Sequence, residues 1–441
     1  MMTSEDPKEW HRRTWRIALP VMITNVSVPI LGIVDTAVVG RLPGPEFVGA
    51  VAVGALIFSM LYHGCNFLRM GTTGLTAQSF GAKDGSEVRT WLVRALFLGA
   101  VIGILMIAAQ WVIFETSTLI IGPSEKVRPL TEEYFYIRIW GAPASLANYA
   151  LLGWFFGVQN TRAALITQIF MNGMNVILDF WFVMGLGWGV AGVAWATLIS
   201  EISAVALGLI FAAQHLNKLG GRFKRADIMQ AAPLKRMLSV NRDIFIRSMC
   251  LQTVFIVLTS IGARMGDTVL AANAILLHIQ IFTSHALDGF AMAAEALAGE
   301  AKGAKSRKRF DAAVRASSIW SLIVAVFLCI ATALLGGAVI DLLTTQESVR
   351  VVARQYLIWS VFLPLLSVWS YQLDGIFIGC TWSREMRNSM ILSLTAYLIA
   401  LAALVPVFGN HGLWAGLAVL MVARTITMGW MLPRLQKTIG T

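Results

Sequence analysis

Two aspartates stand inside apolar stretches of this sequence. Asp35 follows the run Val28 to Val34, and Asp179 lies in MNGMNVILDFWFVMG, four residues after Asn175. A carboxylate at the centre of a membrane helix costs about 2.5–3.5 kcal/mol on insertion scales, so each acid needs a partner or a task. Asn175 and Asp179 share one helix face, and Asp179 falls about 25 Å along a helix counted from Arg162. Thr197, about nine residues into the following helix as it runs back, reaches a similar depth. Two carboxyls, an amide and a hydroxyl at one level suit a proton relay or a hydrated sodium ion. A structural reading stands beside this one, in which Arg69 or Arg138 satisfies the acids with no change of charge.

Pro20 removes one backbone hydrogen bond from the helix that carries Asp35, and Pro29 removes a second. That helix is expected to bend, either in response to the charge on Asp35 or as a static kink. A second polar stripe runs through His278, His285, Asp288 and Glu295, spaced so that they share a helix face. With Asp374 two helices later, His285, Asp288 and Glu295 form a candidate site for substrate or cation, or else internal pairs. Glu201 and Arg424 read as structural partners within their helices.

The elements that must position these residues follow from composition. The 441-residue chain is 57% hydrophobic and 13% charged, with a mean hydropathy of +0.70, against about 25% charged residues in soluble domains. A crossing helix needs about 20 apolar residues. Breaks at charge, Pro or Gly give twelve such stretches, near 16–39, 46–80, 88–115, 130–158, 162–186, 188–215, 243–265, 268–301, 311–340, 348–381, 387–408 and 411–432. The expected fold is an all-α polytopic membrane protein. Its first hydrophobic run lacks a small-residue cleavage site and is expected to remain as a helix.

Of the 35 Lys and Arg, Arg41, Lys126, Arg128, Arg264, Arg350 and Arg354 fall at the odd-to-even connections, and Arg69, Arg138 and Arg424 fall inside apolar runs. All the others lie on the opposite side, which places both termini in the cytoplasm. The net charge of +11 is thereby accounted for without nucleic acid. The four cysteines are scattered singly, with no spacing for a disulfide or metal site. No nucleotide loop, zinc motif or nucleophile triad is present, and nothing points to an enzyme.

Shifting the chain by 222 residues lays Gly153, Gly157 and Arg162 over Gly375, Gly379 and Arg384, and Gly44 and Ala50 over Gly266 and Ala272. The sequence is a tandem duplication. Six helices per copy make the repeats parallel, giving two six-helix bundles suited to alternating access. The expected division is 1–215 for the first lobe, 216–242 for a cytoplasmic linker and 243–441 for the second lobe. Asp35 and Asp179 land on Val257 and Leu401, so one half alone carries those acids.

The stretches LGIVDTAVVG, LRMGTTGLTAQSFGAKDG, GAPASLANYALLGWFFGVQ, LDGIFIGCTWSREMRNSM and HALDGFAMAAEA closely resemble DinF-type members of the MATE multidrug transporter family. The resemblance spans nearly the whole chain. It implies twelve helices in two pseudo-symmetric lobes and efflux of organic, often cationic compounds driven by protons or sodium. Residue by residue it falls on Pro20, Asp35, Asn175, Asp179 and Thr197, and it implies that protonation or ion binding there bends helix 1 and expels substrate outward. NorM-type members carry an acid on helix 7 that Ser248 to Arg264 lacks.

The resulting expectation is a monomeric inner-membrane antiporter exchanging lipophilic cations or other amphiphilic drugs for protons, amid membrane lipids and without an organic cofactor or resident metal. Sodium coupling at the same four residues is the nearest alternative. A lipid or lipid-precursor flippase, disfavoured by acids outnumbering arginines within the membrane, and a non-transporting scaffold or sensor stand further off.

Overall fold

The computed structural model describes residues 6–222 and 225–440, without the side chains of 26–31, 33, 36, 225 and 226. Pro29, expected to weaken the helix below Asp35, lies outside the described side chains. The described residues are almost entirely helical and contain no strand. Ten helices among them are long and apolar enough to cross a membrane. Pro7–Val39 and the run 127–157 bring the long helical runs to the expected twelve.

In chain order these are α1 (Pro7–Val39), α2 (Pro45–Gly81), α3 (Gly85–Ala108), α4 (127–157), α5 (Thr161–Gly185) and α6 (Gly189–Leu219). The second copy supplies α7 (Ala231–Arg264), α8 (Asp267–Gly303), α9 (Arg307–Leu343), α10 (Glu347–Gly379), α11 (Ser383–Phe408) and α12 (Asn410–Lys437). A further short helix, Gln110–Ile121, continues from α3.

Three helices of the first copy are locally irregular. α2 is interrupted at Asn66, whose amide N–H donates to the His63 carbonyl. α4 passes through a 3-10 turn at Ile139–Gly141. α5 is α-helical to Asp179 and then switches to a π-helical turn over Phe180–Gly185. Hydrophobic periodicity carries no signature of these shifts in backbone hydrogen bonding.

The chain divides into two compact units, Ile23–Met237 and a second that joins α1 up to Met22 with everything from Leu238 onward. The division therefore falls just after Pro20 within α1, and again within α7. In the second unit Trp10, Ile17 and Ala18 pack with Phe290, Ala293 and Leu297, Trp320 Nε1 donates to His11 Nδ1 at 3.0 Å, and Arg13 pairs with Glu300. In the first unit Met237 joins the core around Phe58 and Phe135, and Arg236 donates to Gln78 Oε1 at 2.8 Å. Glu300 is the 222-residue counterpart of Gln78.

The segment 216–242, expected as a linker, is helical at both ends, since α6 runs through Leu219 and α7 begins at Ala231. Its middle is fastened to the first unit. Arg89 donates to the Gly220 carbonyl (2.9 Å), and fully buried Arg94 donates to the Ile228 carbonyl (3.2 Å) and to Glu87 (2.8 Å).

The duplication holds at the level of single backbone conformations. The four non-glycine residues with positive φ among those described are Lys83 (59°), Gln159 (59°), Lys305 (51°) and Thr381 (52°), two pairs separated by the repeat length. Asp84 caps α3 by accepting from the Glu87 amide (2.9 Å), and Ser306, its counterpart, caps α9 by accepting from Arg309 (3.4 Å). A Cβ on Gly153 would meet the Arg69 backbone, and one on Gly375 the backbone of Ala291, the counterpart of Arg69. Gly157 and Gly379 sit likewise against the carbonyls of Thr73 and Glu295. These close approaches are how helices without a hydrophobic driving force between them gain packing contact in lipid.

Trp111, Trp188 and Trp430 are exposed, whereas Trp15 is edge-on to Phe290 and Trp320. All four cysteines are free.

Candidate functional site

In the first unit α5 and α6 pack side by side, and this brings Asn175, Asp179 and Thr197 together. Asp179 and Asn175 are buried, at 0% and 1% exposure. In the amide orientation that satisfies both neighbours, Asn175 donates to Asp179 Oδ2 (3.2 Å) and its oxygen accepts from the Thr197 amide (3.2 Å). The Thr197 hydroxyl lies 3.3 Å from the same amide oxygen and also donates to the Val193 carbonyl (3.0 Å). Asn175 is thus a strut between the two helices, oriented by Thr197 and in turn orienting Asp179.

Asp35, half-buried on α1, brings its carboxyl within hydrogen-bonding reach of Asp179. Asp179 Oδ1 has no hydrogen-bond partner among the described residues. Asp179 is also the last α-helical residue before the π turn, so its position is set where the helix's own hydrogen bonding changes register. Helix distortions of this kind recur at functional positions. All four residues expected to act together are therefore neighbours. Pro20 is elsewhere: it belongs to the part of α1 that packs in the second unit, and the helix continues through it unbroken.

Below the acids lies a second polar cluster that the sequence did not assemble. Arg138, on α4, sits 3.6 Å from Glu201 of α6, donates to the Tyr134 hydroxyl (3.3 Å) and lies over the Phe58 ring (4.6 Å). Glu201 also accepts from the Ser145 hydroxyl (2.5 Å), and its backbone carbonyl accepts from Asn148 (3.1 Å). Asp35 is within electrostatic range of Arg138. Arg138, one of the two arginines that the structural reading offered to the acids, has a carboxylate partner of its own.

In the second unit Asp374 is buried and accepts from both Arg247 and Arg424. Arg247, counted from sequence among the basic residues on the cytoplasmic side, lies inside α7 and is 8% exposed. Signals for this were present: Met237, Val240 and Ile244, at spacings of three and four, are all buried and extend the helix back into the charged stretch. His285 and Asp288 are half-buried on α8, and Glu295 is fully buried where Gly379 crosses its backbone. Asp288 and Asp374 share the neighbourhood of Tyr371, whose hydroxyl lies 2.9 Å from Ser284. Val257 and Leu401, the counterparts of the two acids, lie in the apolar core of this unit.

A duplicated bundle of long apolar helices, with a polar site buried in one copy and absent from the other, is the architecture of a multi-pass membrane transporter. Comparison with known proteins gives its family. The MatE family model matches twice, over residues 20–181 and 244–405, once in each copy. The chain belongs to the MatE family, whose members are transporters and not enzymes. It is 41% identical to the DNA damage-inducible protein F of Escherichia coli (strain K12), covering 97% of this chain and 92% of that protein. It is 26% identical to the chloroplastic protein DETOXIFICATION 44 of Arabidopsis thaliana, covering 94% of this chain and 81% of that protein. Two solved structures share the fold at 20% identity: a MATE in the bent conformation, with a TM-score of 0.87 over 98% of this chain and 96% of that one, and a MATE in the straight conformation, with a TM-score of 0.85 over the full length of both.

Proposed function

We propose that this protein is a proton-coupled antiporter that exports lipophilic organic cations and related amphiphiles from the cytoplasm. The observation that carries the reading is the contact between Asp35 and Asp179, braced by Asn175 and Thr197 in one copy of a duplicated fold and replaced by Val257 and Leu401 in the other. Packing alone would be expected to recur in both copies, as the glycine contacts do. Two carboxyls in hydrogen-bonding contact hold a proton between them, and its loss leaves like charges that must separate. Asp35 is on α1 and Asp179 on α5, so separation moves one helix against the other.

Both arginines of the second unit's core are spent on Asp374, which favours a single coupling site, in the first unit. The distribution of Lys and Arg supports a cytoplasmic position for both termini, and the protein is read as a monomer of the inner membrane. Exchange of one proton for one monovalent cation moves no net charge, and the pH difference then supplies about 1.4 kcal/mol per unit. Protonation of both acids moves one further charge and adds about 2.3 kcal/mol per 100 mV.

The test is made in everted, respiring vesicles without sodium. Addition of a lipophilic cation should collapse part of the pH gradient, and Asp35→Asn should abolish that response. A wild-type response that appears only with sodium would move the same four residues to sodium coupling, and no response to either ion would reject the reading.

A further inference from the structure

Between α7 and α11 of the second unit lies an open groove of ≈ 450 Å³, lined by Val257, Ile261, Met265, Leu398, Leu401 and Val405, with Arg264 at one end. Its place in the duplicated plan is informative. Val257 and Leu401 are the counterparts of Asp35 and Asp179, and Tyr397 is the counterpart of Asn175. Tyr397 spends its hydroxyl on the Val254 carbonyl (3.2 Å), joining α7 to α11. The position that gathers polar groups in the first copy is therefore an apolar slot in the second.

Two features shape the slot for an elongated apolar guest. Pro406, in its lining, has no N–H to offer the Ala402 carbonyl, so α11 is weakened where the groove opens. Beyond it Val407 and Phe408 are 71% and 59% exposed and extend the apolar surface. The one charge in the lining, Arg264, is in the last turn of α7 and is exposed, with no ion pair among the described residues. A helix-end arginine lies at the level of lipid headgroups. The groove offers nothing that would neutralise a cationic guest.

We propose that this groove binds one acyl chain of an anionic phospholipid, from the leaflet at the Gly266 end, with the lipid phosphate on Arg264. The chain passes from one hydrocarbon environment to another, so its burial brings little hydrophobic gain. Selectivity rests on the guanidinium–phosphate pair, which is weakened in a zwitterionic lipid whose own ammonium offsets the phosphate charge and repels Arg264, and on packing against α7 and α11. The site is independent of the coupling ion.

Native mass spectrometry of the full-length protein, released from micelles doped with phosphatidylglycerol or phosphatidylcholine of identical chains, tests it. The wild type should retain one phosphatidylglycerol, in about fivefold preference over phosphatidylcholine, the range of an exposed ion pair. Arg264→Gln should remove the preference and Arg264→Lys should keep most of it. Ala402→Phe, at an exposed position that leaves the core untouched, should fill the slot and lower retention of both lipids. Equal retention of the two lipids by the wild type, or a preference that survives both Arg264→Gln and Ala402→Phe, would overturn the proposal.

Discussion

Arg138 and Glu201 form a buried pair whose side chains are 15% and 10% exposed. Breaking such a pair from one side leaves an uncompensated charge and costs about 3–5 kcal/mol, while replacing both members by apolar residues is often neutral. Glu201→Gln should therefore lower the midpoint of thermal unfolding in detergent markedly, and Arg138→Met with Glu201→Met should recover most of the loss. Recovery absent in the double variant would mean that the pair contributes more than mutual neutralisation. Asp374→Asn should be at least as damaging, since it leaves both Arg247 and Arg424 without their acid; the same unfolding assay would reveal a silent substitution. At this scale the sequence was legible where a repeat mismatch marked a residue. Asp35 and Asp179 stood out because their counterparts are Val257 and Leu401. The Arg138–Glu201 pair stayed hidden because nothing in the spacing of two distant helices says which faces meet.

Among the elements, α2 with α4 and α8 with α10 are each locked by a glycine against backbone. Gly153→Ala and Gly375→Ala would each drive a methyl into a neighbouring main chain, at Arg69 and Ala291. Overpacking of this kind costs about 1–3 kcal/mol, and the two substitutions should depress thermal stability to a similar extent. Gly173→Ala, on α5 with nothing within 4 Å of the added carbon, should be neutral or slightly stabilising through helix propensity. Equal stability of all three variants, compared by scanning fluorimetry, would refute the packing account. Most helix limits agree with the apolar runs to within a few residues, because hydrocarbon thickness fixes the length of such a run. The exceptions, α1 from Pro7 and α7 from Ala231, begin in charged sequence, where a helix continues past the apolar run and packs through Met237, Val240 and Ile244 or through Trp10 and Ile17.

Across the whole molecule, duplication was legible from glycines and explains the paired turns at Lys83 and Lys305 and at Gln159 and Thr381. What could not be read was the assignment of chain to unit. The first sixteen residues of α1 fold with the second copy, and the start of α7 folds with the first. Synthesised as separate polypeptides cut between Arg222 and Ala231, the halves should therefore be individually defective: the first would carry Trp10, Ile17 and Arg13 without Phe290 and Glu300, and the second would lack the start of α1 in its core. Coexpression should restore a stable complex that copurifies through a tag on either half. A first half that is stable and monodisperse by itself would contradict this division.

This crossing resembles a strand-exchanged pair more than two beads on a string. A half-length progenitor with the same contacts would have given the start of its first helix to a sister chain and received hers in return, so that pairing preceded gene fusion as a condition of folding. Fusion would then leave the two copies free to differ at single positions, as Asp35 and Asp179 differ from Val257 and Leu401.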